Sequence, residues 1–291
     1  MTPPTVLAAI GPDSVEFALQ RSDGSNMSAT ETVAAARYPT FSDALIRYAD
    51  RHRLNLYGTR LCVAVAGAIH DDAIRVTNGR WYVSRSGLFA VTGRDVAILN
   101  DVSAIAHATL DGQPLHPFGT GRPRDDPDGG CSIVVFADRG LGAATLHRDG
   151  TAFVTASEAG HIPFTPQTAA EGEVARFIRS DGCVTYEEML IALMRIGFLL
   201  RPATFPHRDD AMLATILGRY CAMVALTSAA WNGVYLCGSA IAMLDRPAMR
   251  DAFCDAFRSG GPMRNRLREM PFAIVEQRGA ILRGLAAFSK R

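Results

Sequence analysis

Apolar and polar positions along the chain follow two periods, and the switches between them mark out the elements. Thr5 to Ile10 is a short β-rich run, and Val15, Phe17 and Leu19 alternate with polar partners, so the two segments form a hairpin around the turn Gly11-Pro12-Asp13-Ser14. Thr30 to Ala36 supplies a third strand. Phe41 to Arg51 carries Phe41, Leu45 and Tyr48 at helical spacing, with Thr40 or Ser42 able to cap it. Leu61 to Ala66 reads as a buried strand ending at Gly67. Asp71-Asp72 is a turn, Ala73 to Thr77 a short strand, and Ser84 begins a helix. Val96 to Leu99 is a run of four apolar residues, a buried strand, and the residues from Val102 to Ala108 have helical spacing.

The pattern then breaks. Leu110 to Gly130 is rich in Gly, Pro and Asp and reads as a linker or long exposed loop, the best candidate boundary. Beyond it the strand pattern starts again: Cys131 to Phe136, a tight turn at Gly140-Leu141-Gly142, a returning strand from Ala143 to His147, and another from Thr151 to Thr155. Helices are predicted at Glu171 to Arg179, Tyr186 to Leu200, Asp209 to Thr227, Pro247 to Arg258, Pro262 to Glu269 and Ala280 to Phe288. Strands are expected at Val234 to Cys237, before Gly238-Ser239, and at Phe272 to Val275. Strands first, then strands alternating with helices, predict mixed sheets with helical cover, built twice on a similar plan with a cleft between. The domains expected are 1–108, completed by a helix at 280–291, and 109–279.

Composition adds exclusions. The chain has 291 residues, 48% hydrophobic and 20% charged, and a formal charge of +1 from 30 Lys+Arg against 29 Asp+Glu. With no basic run, nucleic-acid binding through phosphate neutralisation is not expected. The six cysteines, Cys62, Cys131, Cys183, Cys221, Cys237 and Cys254, are scattered and lie mostly in apolar runs, which suits a reducing compartment rather than a disulfide or zinc framework. No signal peptide and no membrane-length apolar stretch is read from the sequence, so a cytoplasmic protein without membrane attachment is expected, a homodimer being the commonest assembly of soluble proteins.

Candidate chemistry lies first at Asn100-Asp101, where a strand gives way to a helix. In open α/β sheets ligands bind beyond the carboxyl ends of the strands. A carboxylate there can take a proton from a substrate hydroxyl, or either residue can simply cap the helix. Ser157-Glu158-Ala159-Gly160-His161 follows a strand. Its carboxylate and imidazole could share a pocket and bond vicinal hydroxyls, or form a solvated loop with a capping serine. Tyr186-Glu187-Glu188 opens a helix, where acidic residues answer the helix dipole, although a glutamate there can also reach a ligand.

Taken together, in this order and spacing, these segments resemble the bacterial glucokinases of the hexokinase/actin-like ATPase superfamily over nearly the whole chain. Thr77-Asn78-Gly79-Arg80-Trp81-Tyr82-Val83-Ser84 is similar to that family's segment beside the sugar. Gly233-Val234-Tyr235-Leu236-Cys237-Gly238 resembles the strand and glycine turn of its adenosine site, and Gly261-Pro262-Met263-Arg264 through Met270-Pro271-Phe272 its Gly-Arg-Met…Ile-Pro-Val tail. The zinc-binding cysteine cluster of the related sugar-kinase and repressor family has no counterpart. The resemblance implies a two-lobed actin-like ATPase (ribonuclease H-like) fold of the α/β class. It implies phosphoryl transfer from ATP, with Mg²⁺, to the primary hydroxyl of glucose or a related hexose. It further implies Asp101 as general base, Asn78, Asn100, Glu158, His161 and Glu187 on the other hydroxyls, and Gly11, Gly140, Gly142, Gly238 and Ser239 around the nucleotide.

The nucleotide side departs from the pattern. Where the family has Asp-Ile-Gly-Gly-Thr-Asn this chain has Ala9-Ile10-Gly11-Pro12-Asp13-Ser14. Where it has Gly-Thr-Gly-Leu-Gly, this chain has Asp138-Arg139-Gly140-Leu141-Gly142. Pro12 removes an N–H that a phosphate cradle would use, and Asp13 adds negative charge. Two readings stand at this level. Asp13, Asp138 and Arg139 compensate, or phosphoryl transfer has decayed and a glucose-binding sensor or regulatory paralogue remains.

Overall fold

The computed structural model describes residues 4–21, 27–121, 123, 129–196 and 209–290. The chain divides into two compact units, Met1–Gln113 with Arg278–Arg291, and Pro114–Gln277.

Unit 1 begins with β1 (Thr5–Ile10), β2 (Ser14–Gln20) and β3 (Met27–Ala34), an antiparallel meander, followed by α1 (Phe41–Arg51). Then come β4 (Leu61–Val65), β5 (Ala73–Arg75), β6 (Tyr82–Ser84), α2 (Arg85–Thr92), β7 (Ala97–Asn100) and α3 (Asp101–Leu110). The main sheet has the order β3-β2-β1-β4-β7, with β1, β4 and β7 parallel, while β5 and β6 form a separate ribbon. Side chains alternate across a strand, and β1 shows it. Val6, Ala8 and Ile10 pack with Phe17, Phe41, Leu45 and Tyr48 on the α1 side, whereas Leu7 and Ala9 face Ala104 on the other. Thr40 and Asp43 close a reciprocal capping box on α1.

Unit 2 contains β8 (Leu115–Gly119), β9 (Gly130–Ala137), β10 (Leu141–Arg148), β11 (Phe153–Ser157), α4 (Ala169–Ile178), α5 (Tyr186–Ile196), α6 (Asp210–Thr227), β12 (Gly233–Cys237), α7 (Pro247–Arg258), α8 (Arg264–Arg268) and β13 (Pro271–Val275). Its sheet runs β11-β10-β9-β12-β13-β8, with β9, β12 and β13 parallel. Ile133 and Val135 of β9 and Val234 and Leu236 of β12 pack with Leu213 and Leu217 of α6 and Phe253 and Phe257 of α7. A buried Arg219–Glu171 ion pair of 2.7 Å ties α6 to α4. By length and composition α6 could cross a membrane, contrary to the expectation of no apolar stretch of that length, but 61% of it is buried. The chain returns to unit 1 as α9 (Ala280–Ser289), whose Leu282, Leu285 and Ala286 pack on Leu7, Ala18 and Ala104.

Several expectations need correction. The stretch from Leu110 to Gly130 contains a strand, β8, antiparallel to β13. Pro117 disguises it in the sequence, and the sheet accepts a residue without N–H because β8 is at the edge. The tight turn falls at Asp138-Arg139-Gly140, with Asp138 N–H donating to the Gly140 carbonyl, because apolar Leu141 already pairs with Ala137 as strand. The third strand begins at Met27 and ends at Ala34, where Ala35 N–H turns to the Asp13 carbonyl. β11 lies two residues later than expected, α8 covers only Arg264–Arg268, and Ser239–Asp245 is a 3₁₀ turn. Of the helix expected from Tyr186 to Leu200, residues 197–200 lie outside the described residues.

Candidate functional site

Parallel β1, β4 and β7 end at one edge of the unit 1 sheet, where β7 delivers Asn100. The Asn100 side chain is the N-cap of α3. Its Oδ1 accepts from the Val102 and Ser103 N–H groups (2.9 and 3.4 Å), while its Nδ2 donates to the Gly67 carbonyl at 3.3 Å. Asp101 is the first residue of the helix, half-buried, with Oδ1 accepting from Val102 N–H at 2.8 Å. The cap is therefore Asn100, and Asp101 stands at a helix N-terminus that favours negative charge.

Gly67 brings a second segment here. A Cβ on it would stand 2.4 Å from the Arg75 carbonyl oxygen, so glycine alone permits the approach. Thr77 N–H donates to the Ala66 carbonyl at 2.7 Å, and exposed Asn78 adopts a left-handed φ of 56°. Asn78 and Asn100 thus flank Gly67. Trp81, from the same segment, is buried in the core with Nε1 donating to the Tyr38 carbonyl, and Ser84 caps α2.

In unit 2 the Glu158, Gly160 and His161 loop is wedged against the start of β10. A Cβ on Gly160 would stand 1.9 Å from the Leu141 carbonyl oxygen. Ser157 Oγ accepts from Ala159 N–H two residues on, a local turn rather than the helix cap expected of it, since the cap position before Ala159–His161 is Glu158. The His161 ring lies between two carboxylates, Nε2 3.7 Å from Glu158 Oε2 and Nδ1 4.0 Å from Glu187 Oε1. These spacings exceed a direct hydrogen bond. The side chains of Glu158 and His161 are 50% and 48% exposed, and that of Glu187 only 11%.

The neighbouring glutamates at the start of α5 separate cleanly. Glu188 Oε2 accepts from Thr185 N–H at 2.8 Å, and Glu188 N–H donates to Thr185 Oγ1, the helix-capping arrangement. Burial pushes the Glu188 carboxyl up, but the Thr185 N–H and the Arg179 guanidinium together outweigh it and hold it below its ordinary value. Glu187 instead turns inward, and its Oε2 accepts from Leu141 N–H at 2.8 Å. One carboxylate therefore supports the Asp138-Arg139-Gly140 turn and faces His161 at once.

The nucleotide-side residues are less accommodating. Gly11 N–H donates to the Ser14 carbonyl at 2.9 Å, and Pro12 has no N–H, so the first turn is closed on itself. Ala9 is buried in the sheet face under α9. In the second turn Leu141 N–H is taken by Glu187, and Gly142 is a strand residue paired with Phe136. The adenosine-side glycine keeps its special backbone. Gly238 has φ 115°, and a Cβ on it would stand 2.2 Å from the Ala137 carbonyl oxygen, while Ser239 Oγ donates to Asp138 Oδ1. No cluster of three or more metal-ligating side chains stands among the described residues, so Mg²⁺ has no protein cage there. The six cysteines are free, and burial pushes the Cys62 and Cys131 thiols up to about 11.

Three groups escaped the sequence reading. The Gly67 carbonyl and the Leu141 N–H are backbone atoms without a side-chain signal. Tyr220 had one, a lone tyrosine in an apolar helix. Its hydroxyl is buried without a hydrogen-bond partner among the described residues, and burial, assisted by Cys221 and by the charges of Glu187 and Glu158, pushes it well up.

The glucokinase family model matches residues 6–192 and 209–291. The glucokinase of Brucella suis is 26% identical over 316 residues, covering 99% of this chain and 91% of that protein. The glucokinase of Agrobacterium fabrum is 28% identical, covering 99% and 92%. Among solved structures, glucokinase from Balamuthia mandrillaris in complex with glucose superposes with a TM-score of 0.76 at 18% identity, covering 98% of this chain and 93% of that one. Glucokinase from an Antarctic psychrotroph gives 0.72 at 21%, covering 99% of each. The shared architecture is the α/β actin-like ATPase fold, with mixed sheets flanked by helices.

Proposed function

The chain belongs to the glucokinase family of sugar kinases, and from that premise we propose that it transfers the γ-phosphate of ATP to the primary (6-) hydroxyl of glucose. The observation carrying the reading is the Glu158, His161 and Glu187 group. A half-exposed imidazole spaced between two carboxylates offers donor and acceptor positions to adjacent hydroxyls of one sugar. Asn100 and Asn78 serve further hydroxyls. A sugar lacking one of these hydroxyls leaves a partner unpaired, at about 1–3 kcal/mol.

Asp101 accepts the proton of the primary hydroxyl as its oxygen forms the bond to the γ-phosphorus and ADP departs. Phosphoryl transfer needs little covalent help, so alignment of that oxygen supplies most of the acceleration. Asn100 contributes indirectly as well: its cap and its bond to the Gly67 carbonyl fix the backbone that carries Asp101. On the donor side the reading uses the Gly238-Ser239 turn for adenosine and the Gly140 turn and Gly11 for phosphates. The setting implied is cytoplasmic sugar phosphorylation feeding glycolysis.

One observation favours a second reading, a glucose-binding regulatory paralogue without normal ATP binding: the first turn offers no N–H at Pro12 and has committed that of Gly11. A coupled-enzyme assay with glucose and ATP, beside calorimetry with each ligand alone, decides. Turnover that Asp101→Asn abolishes supports the kinase, and glucose binding without nucleotide binding or turnover supports the paralogue.

A further inference from the structure

At the other end of its sheet, unit 2 has a cavity of about 470 Å³ lined by Thr120, Asp255, Arg258, Ser259, Arg264 and Arg268. Its place follows from the register. Gly119, next to Thr120, pairs with Pro271 at the start of β13, which runs parallel to β12. The cavity thus lies at the amino ends of the parallel strands, whereas Asp138, Leu141 and Gly238 lie at the carboxyl ends.

Three guanidinium groups meet one carboxylate here. Arg264 and Arg268 are four residues apart on α8 and so share a side of it, where like charges repel. Arg258 reaches the end of β8, with Nη2 3.6 Å from the Cβ position of Gly119. None of the three has an ion-pair partner among the described residues, and Arg258 Nε is buried without an acceptor. Arg266, on the same helix but outside the cavity, behaves differently: it pairs with Glu269 at 3.8 Å and lies over the Trp231 ring at 5.4 Å. On α8, therefore, the two arginines without an ion pair are the two that line the cavity. The hydroxyls of Thr120 and Ser259 donate to the Glu269 and Ala256 carbonyls, which leaves anion recognition to the guanidinium forks.

We propose that this cavity binds a phosphorylated polyol or sugar, its phosphate held by Arg258, Arg264 and Arg268 and a hydroxyl donating to Asp255. The volume falls within the roughly 300–1,000 Å³ range of small-molecule sites. The site is independent of the catalytic reading, since it shares no residue with it.

Calorimetry on the full chain tests it with inorganic phosphate and glycerol 3-phosphate, neither of which is a product of hexose phosphorylation. Both should bind, glycerol 3-phosphate more tightly. The double variant Arg264→Ala/Arg268→Ala should weaken both by about tenfold or more while leaving basal turnover and thermal midpoint in place. Asp255→Asn should shrink the preference for glycerol 3-phosphate. If Arg258→Ala does not fold, Arg258→Lys, which keeps the charge but loses the fork, should still weaken binding. No binding of either probe, or undiminished affinity in the double variant, overturns the site. Equal affinity for the two probes overturns the polyol assignment.

Discussion

Both sheets contain an antiparallel hairpin whose first strand also pairs with a parallel neighbour, β1–β2 in one and β9–β10 in the other, yet the two hairpin turns are held in different ways. The first is held by backbone: Gly11 N–H bonds Ser14, the Asp13 carbonyl accepts from Ala35 N–H beyond β3, and Pro12 contributes rigidity and no donor. The second is held from outside, by Glu187 on Leu141 N–H and by Ser239 on Asp138. A turn whose N–H is satisfied by a carboxylate facing His161 is tied to whatever that carboxylate also meets. Within unit 2, Glu187 therefore links the second turn to the Glu158 and His161 loop.

The largest effect expected is on chemistry. Asp101→Asn should lower kcat by about 10²- to 10⁴-fold, the range of a general base, while glucose affinity measured by calorimetry stays nearly constant. An equal loss in both would make Asp101 a binding residue. Next, Glu187→Ala strips Leu141 N–H of its acceptor, at a cost of about 1–3 kcal/mol. It should weaken glucose binding and also raise KM for ATP, because the second turn loosens. An unchanged KM for ATP would sever the link between turn and sugar group.

The first turn offers a gain instead of a loss. Pro12→Gly combined with Asp13→Thr returns a donor and removes a charge, and should lower KM for ATP by about tenfold with glucose affinity unaltered. No change would place the nucleotide elsewhere.

The smallest effect is on acid stability, where Glu16 of unit 1 and Glu188 of unit 2 shift in opposite directions. Burial, opposed by Arg278 and Arg283, raises Glu16 of unit 1 above its ordinary 4.5. Its contribution to stability is present below that value and is lost as pH rises through the raised one. Glu188 of unit 2 is held low, so its contribution is present above 4.5 and is lost as pH falls through the lowered value. Between neutrality and mild acid, Glu16→Gln should raise the thermal midpoint slightly near pH 7, and Glu188→Gln should lower it there but not in acid. Scanning calorimetry across that range reads both.

The strands that bury both faces were the most legible part of the fold. Leu61 to Ala66 is β4 to within a residue, and Phe41 to Arg51 is α1, because its apolar spacing and the Thr40 cap agree. β8 was hidden because edge strands tolerate Pro117 and need no alternation. At the candidate site the residue types could be read, but their division of labour could not. Asn100 and Asp101 both suit a cap, and Glu187 and Glu188 both suit a helix start. Only tertiary neighbours, the Gly67 carbonyl for one pair and Leu141 N–H and Arg179 for the other, distinguish them.

The way α9 is seated has a consequence for the order of assembly. A Cβ on Gly284 would fall 1.7 Å from the Ala104 carbonyl oxygen, and Gln20 Nε2 donates to the Ala286 carbonyl across 266 positions of chain. The face of β1 that bears Leu7 and Ala9 is therefore covered by α3 but not by α9 until residues near 280 leave the ribosome. By then every strand of unit 2 has been synthesised, so the half of the molecule made first is the half completed last.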